Sequence, residues 1–99
     1  MAWMYILECA DGSYYVGSTK DLEQRVLRHQ EGQGAEYTSK RLPVRLVYSE
    51  EFERVSEAYT REKQVQNWSR AKREALIHRK LDLLPVLAKK DFSKRKAQS

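Results

Sequence analysis

The sequence predicts an α+β fold: a small three-stranded antiparallel sheet flanked by about three helices, in the order β-β-α-β-α-α. Three observations predict it. Two short runs rich in apolar, aromatic and β-branched residues flank Asp11-Gly12, a strong hairpin signal. A third run of the same kind, Val44-Arg45-Leu46-Val47-Tyr48, follows a polar loop that ends at Pro43. The stretches after the second and third runs carry capping residues and helical spacing.

Taken in order, Trp3-Met4-Tyr5-Ile6-Leu7-Glu8-Cys9 is a short apolar run suited to a buried strand. Tyr14-Tyr15-Val16-Gly17-Ser18 is the returning strand. Asp21, with Gln24 three residues on, forms an N-cap pair opening a helix from Leu22 to about Glu31, which Gly32 and Gly34 end. After the third strand, Ser56 is placed to cap a helix over Glu57–Trp68. Ser69 restarts a helix over Arg70–Lys80, and Leu83-Leu84-Pro85 closes the ordered part. These elements make one domain over residues 1–87, with a basic, polar tail at 88–99.

The chain has 99 residues, the size of one small domain. No stretch approaches the roughly 18 consecutive apolar residues that a membrane-spanning helix needs. The start, MAWMYILECA, lacks the basic n-region of a cleaved signal. The lone Cys9 has no intramolecular disulfide partner, and no Cys/His spacing suits zinc. A reducing, cytoplasmic setting is the expectation. The net charge of +5 is uneven: residues 1–53 carry −3 and residues 54–99 carry +8. A basic half is either a solvated surface or an electrostatic footprint for a polyanion such as nucleic acid.

Polar residues on apolar faces carry more information. A helix advances about 100° per residue, so positions three and four apart share a face. Leu22 and Val26 mark the apolar side of the first helix, and Arg25 and His29 fall on that side. An arginine there either snorkels to the edge, pairs with an acid or lines a basic cleft. On the next helix Val55, Ala58, Tyr59 and Val65 make one arc, with Glu62 in its middle. A carboxylate so placed costs several kcal/mol unless it is paired, protonated or bound to a metal. A salt bridge to Arg25 and a divalent-metal site both answer it. Tyr5 and Tyr15 lie on the two hairpin strands. A two-residue turn puts them on opposite sheet faces and a three-residue connection puts them on one, because a slip of one residue flips the pattern.

These residues, in this order, resemble the GIY-YIG nuclease superfamily. Trp3-Met4-Tyr5 stands at the first motif, where only the tyrosine matches, and Tyr15-Val16-Gly17 at the second. Arg25, His29, Tyr37 and Glu62 follow. Tyr5-Ile6-Leu7, Asp11-Gly12-Ser13, Tyr15-Val16-Gly17-Ser18-Thr19, Asp21-Leu22-Glu23 and Ser69-Arg70-Ala71-Lys72 are similar to small stand-alone bacterial proteins of that superfamily. The similarity covers roughly residues 3–80. Several members carry a lysine where this chain has Ser18.

The resemblance implies a GIY-YIG-like fold and metal-dependent hydrolysis of nucleic-acid phosphodiesters, DNA before RNA. It implies catalytic roles for Tyr5, Tyr15, Arg25, His29, Tyr37 and Glu62, either tyrosine serving as general base. Glu62 would hold one Mg²⁺ or Mn²⁺ ion, and Arg25 would stabilise charge on the phosphate. Gly17, Lys20, Lys40, Arg41, Arg70 and Lys72 are expected to meet the nucleic acid. Two other readings stay open: a binding module with little or no catalysis, and an interaction domain in which Glu62 and Arg25 form a buried ion pair.

Overall fold

The computed structural model describes residues 1–89. They form β1 (Ala2–Glu8), β2 (Tyr14–Thr19), α1 (Leu22–Gln30), α2 (Glu36–Ser39), β3 (Arg45–Phe52), α3 (Val55–Gln66) and α4 (Arg70–Lys89). Residues 90–99, most of the expected basic tail, lie outside the described residues. The described residues divide into two units, the first Met1–Trp68 and the second beginning at Ser69.

In the first unit the apolar run becomes the central strand of an antiparallel sheet ordered β2-β1-β3. Its alternation sets two faces. Tyr5, Leu7 and Cys9 pack with Val44, Tyr15, Leu22 and Val26, so α1 covers one face with the stripe that its sequence shows. Ser18 and Glu50 both stand opposite Met4 across the strands, and both bond to side chains of α3. The second face therefore lies under α3, which buries Ala58 and Val65 completely.

The hairpin register is decided by its loop. Cys9 N–H donates to Ser13 C=O at 2.8 Å, and Gly12 N–H donates to Cys9 C=O at 2.9 Å. Three residues, Ala10 to Gly12, make the connection, and Gly12 takes a φ of 85°, which glycine adopts without steric cost. Tyr5 then pairs with Gly17 and Leu7 with Tyr15. The two tyrosines share a face, the outcome that the longer connection predicts.

Several local features of the first unit depart from the sequence expectations. The loop before Pro43 contains a helical turn, α2, where Ser39 N–H and the Thr38 hydroxyl both reach Ala35 C=O. Helix α3 starts before Ser56, because the Glu57 carboxylate reaches back to Arg54 N–H at 3.2 Å and caps the helix there. Its buried stripe is narrower than the predicted arc: Val55 is 46% exposed and Tyr59 53% exposed. Tyr59 stays exposed, with the Lys63 ammonium 5.0 Å from its ring centre.

In the second unit α4 continues through Leu83-Leu84-Pro85, where the sequence predicts an end. A proline ring removes one N–H from the ladder at a cost of about 3 kcal/mol. The strong helix formers on both sides (Leu84, Leu87, Ala88) favour continuation. Among the described residues no helix is long and apolar enough to cross a membrane.

Candidate active site

Tyr5, on the central strand, is 1% exposed and places its hydroxyl 2.9 Å from His29 Nε2. His29, from the last turn of α1, is completely buried. Its Nδ1 lies 2.8 Å from the Thr38 hydroxyl, and that hydroxyl donates to Ala35 C=O. This chain fixes the tautomer. With its one proton given to Ala35, the Thr38 oxygen accepts, so Nδ1 carries the imidazole proton. Nε2 is then a bare acceptor, and the Tyr5 hydroxyl donates to it. The one-turn helix α2 places this threonine against the imidazole.

Electrostatics agree. Burial, and then the positive charge of Arg25, hold His29 below its ordinary pKa, so the ring is neutral at pH 7. Burial chiefly, with Tyr15 and Glu62 adding, pushes the Tyr5 phenol far up, while Arg25 opposes through its charge and a hydrogen bond. Tyr15 is also raised, by burial first and by Glu62 second, with Arg25 and Lys63 opposing. Tyr5, Tyr15 and His29 thus all feel the Arg25 guanidinium, and both phenols feel the Glu62 carboxylate.

A depressed histidine makes stability depend on pH. Below pH 6.5 the unfolded chain takes up a proton at His29 that the folded chain refuses. Stability contributed by the neutral ring is complete above that pH and is lost as the pH falls toward the folded value. Denaturant unfolding between pH 7 and 5 is expected to show this decline, and His29→Asn is expected to flatten it. An equal decline in both proteins would contradict the burial of a neutral ring.

Around this pair the aromatic rings form a layer. Tyr15 lies 5.1 Å from His29 and 6.5 Å from Tyr5, centre to centre, and stacks on Tyr37 at 6.2 Å. The Arg41 guanidinium lies over the Tyr37 ring, 3.8 Å from its centre. Its Nε donates to Asp11 at 3.1 Å and its Nη1 donates to Tyr37 C=O at 2.9 Å, tying the hairpin loop to α2, which bears Tyr37.

Arg25 is half-buried at the edge of this layer. Among the described residues it has no carboxylate partner; the ion pairs use other groups. The alternative of a buried Arg25–Glu62 pair is therefore not formed. Glu62 comes from the other side of the sheet, past edge strand β2. Its side chain is 13% exposed. Oε1 accepts from the Ser18 hydroxyl at 2.5 Å, Oε2 accepts from Gln66 Nε2 at 2.8 Å, and Lys63 Nζ stands 3.6 Å away.

Two glycines make room for this arrangement. A Cβ at Gly17 would lie 2.5 Å from the Tyr5 hydroxyl oxygen, and one at Gly34 would lie 2.5 Å from His29 Cγ. Both glycines are there for close approach rather than for a left-handed backbone, since the positive-φ glycines are Gly12 and Gly32.

The structure thus gathers Tyr5, Tyr15, Arg25, His29, Tyr37 and Glu62, and lays Gly17 under Tyr5. The remaining residues expected to meet nucleic acid differ in their surroundings. Lys20 is exposed. Lys40 pairs with Glu36, and Arg41 is committed to Asp11 and Tyr37. Arg70 and Lys72 belong to the second unit, where Arg70 pairs with Glu74. Sequence reasoning missed Thr38, Gly34 as a packing glycine, and the pair Ser18 and Gln66. Only Gln66 left a signal: it stands four residues after Glu62, on the same side of the helix.

The family model described as the GIY-YIG catalytic domain matches residues 1–75. This chain belongs to the GIY-YIG family. Within that family, relatives named UPF0213 proteins occur in bacteria and an archaeon. One from Staphylococcus saprophyticus is 49% identical over 75 residues, covering 76% of this chain and 92% of the relative. One from Halobacterium salinarum is 47% identical over 77 residues, covering 78% of this chain and all of the relative. Among solved structures, the solution NMR structure of a UPF0213 protein from Bacillus halodurans matches with a TM-score of 0.52 at 44% identity, covering 79% of this chain and 84% of that one. The two tyrosines that the sequence singles out, Tyr5 and Tyr15, stand on paired strands, and Gly17 lies against the first phenol.

Proposed function

We propose that this GIY-YIG protein is a Mg²⁺- or Mn²⁺-dependent nuclease that hydrolyses nucleic-acid phosphodiesters, with DNA as its substrate. The observation that carries the reading is Arg25: a half-buried guanidinium without a carboxylate partner among the described residues, beside two phenols and a neutral imidazole. A planar fork of donors in that setting suits the non-bridging oxygens of a phosphate.

The donor set also limits the metal. Among the described residues no three His, Cys, Asp or Glu side chains gather to hold an ion. A single carboxylate suits Mg²⁺ or Mn²⁺, which keep waters and take further oxygens from substrate phosphate. Glu62 would hold that ion, and the ion would supply charge neutralisation at the leaving oxygen.

The chain's own groups account for the proton. Tyr5 donates to His29 Nε2 in the resting site. As its oxygen takes a proton from the attacking water, Tyr5 passes its own to Nε2, leaving an imidazolium held by Thr38. Arg25 beside the phenol favours any negative charge that develops there. The relay answers the objection that a raised phenol is a weak base at pH 7. Tyr15 has no protein hydrogen bond to its hydroxyl among the described residues, so it is the phenol available to orient water or phosphate. Tyr37 backs it by stacking.

The test is a panel of branched, nicked and single-stranded DNA, with matched RNA, incubated with Mg²⁺ or Mn²⁺ and the purified chain. Metal-dependent cleavage of DNA is expected, with loss of rate as the pH falls and His29 becomes protonated. Salt-sensitive binding without cleavage under either metal would favour a binding module instead.

A further inference from the structure

We infer that Ser18 and Gln66 are positioning residues that orient the Glu62 carboxylate for a divalent cation. The inference rests on the proposed metal site and assigns part of its supporting shell. Each oxygen of Glu62 accepts from a different neighbour: Oε1 from the Ser18 hydroxyl at 2.5 Å, Oε2 from Gln66 Nε2 at 2.8 Å. Two donors on two oxygens fix the plane of the carboxylate, which would otherwise turn about its last bond.

The donors are themselves anchored. Ser18 sits on β2, one residue after the glycine beneath Tyr5, so its backbone is set by the same register that places the tyrosines. Gln66 Nε2 also donates to Val16 C=O on β2 at 3.1 Å. One carboxamide therefore spans helix α3 and the edge strand, and holds the glutamate at a fixed distance from the β2 backbone. A carboxylate has about four lone-pair positions, so with the Lys63 ammonium 3.6 Å from Oε2 the two accepted bonds still leave Oε1 with capacity for a cation. This is how hydrogen-bonded ligand carboxylates are commonly held, and losing such a partner typically costs about 10- to 100-fold in metal affinity.

The experiment is a Mn²⁺ titration of the isotopically labelled chain, read as paramagnetic broadening of backbone amide signals, without nucleic acid. The wild type is expected to broaden first around Glu62. Ser18→Ala and Gln66→Ala are expected to need about ten-fold more Mn²⁺ for the same local broadening, while their spectra otherwise keep the wild-type pattern. Ser18→Thr, which keeps the hydroxyl, is expected to recover the wild-type response. Unchanged Mn²⁺ dependence in both alanine variants would overturn the positioning role while leaving the metal site standing. Absence of local broadening in the wild type, or its persistence in Glu62→Gln, would remove the metal site itself and this inference with it.

Discussion

Replacing Glu62 by alanine is expected to lower metal-dependent cleavage by about 100- to 1,000-fold, the scale on which a single group that stabilises transition-state charge is felt. Glu62 is the carboxylate whose charge reaches both Tyr5 and Tyr15, so no neighbouring acid replaces it on that side of the site. Its loss removes the bond to Ser18 but not the apolar packing of α3, which Ala58 and Val65 supply on either side of it. The variant should therefore fold, lose turnover and keep salt-sensitive binding of the oligonucleotide. Cleavage assays with matched circular dichroism spectra check all three, and cleavage at the wild-type rate would remove Glu62 from the chemistry.

The second large effect comes from the two packing glycines. Gly34→Ala would drive a methyl group into the His29 ring, which is completely buried and held on both nitrogens. Gly17→Ala would do the same to the Tyr5 hydroxyl. Neither ring has a free direction in which to turn, so each variant is expected to lose about 1–3 kcal/mol of stability, the usual cost of overpacking. Each should also break the Tyr5–His29 hydrogen bond. Urea unfolding measures the first effect, and the ring nitrogen chemical shifts of His29 report the second. A Gly34→Ala variant with wild-type stability and an unchanged imidazole would show that the ring has room that the structure denies it.

Most of the fold could be read from the sequence because its signals are local. The apolar run Trp3–Cys9, the Asp11-Gly12 turn and the Asp21 cap each specify their own segment, and the structure follows them. The anomalous residues were equally legible: an arginine, a histidine and a glutamate on apolar faces each demand an explanation wherever the helices pack. What the sequence left open was long-range. Whether Tyr5 and Tyr15 share a face turned on one residue of hairpin loop, which closes between Cys9 and Ser13. Whether Glu62 meets Arg25 as an ion pair or stands apart depended on how α3 crosses the sheet. The support of the site was least visible. Thr38 sits in a stretch whose polarity says loop, and its helical turn is specified by bonds to Ala35 rather than by any periodic pattern. Ser18 looks like an ordinary strand residue until α3 is packed over it.

A crystal structure of the wild-type chain with Mn²⁺ and a non-hydrolysable phosphorothioate oligonucleotide addresses the site as a whole. A phosphate oxygen on the Arg25 guanidinium, Mn²⁺ on Glu62 and a water within hydrogen-bond reach of Tyr5 are the predicted result. An oligonucleotide bound elsewhere on the surface, with Arg25 and Glu62 untouched by phosphate or metal, would contradict the account.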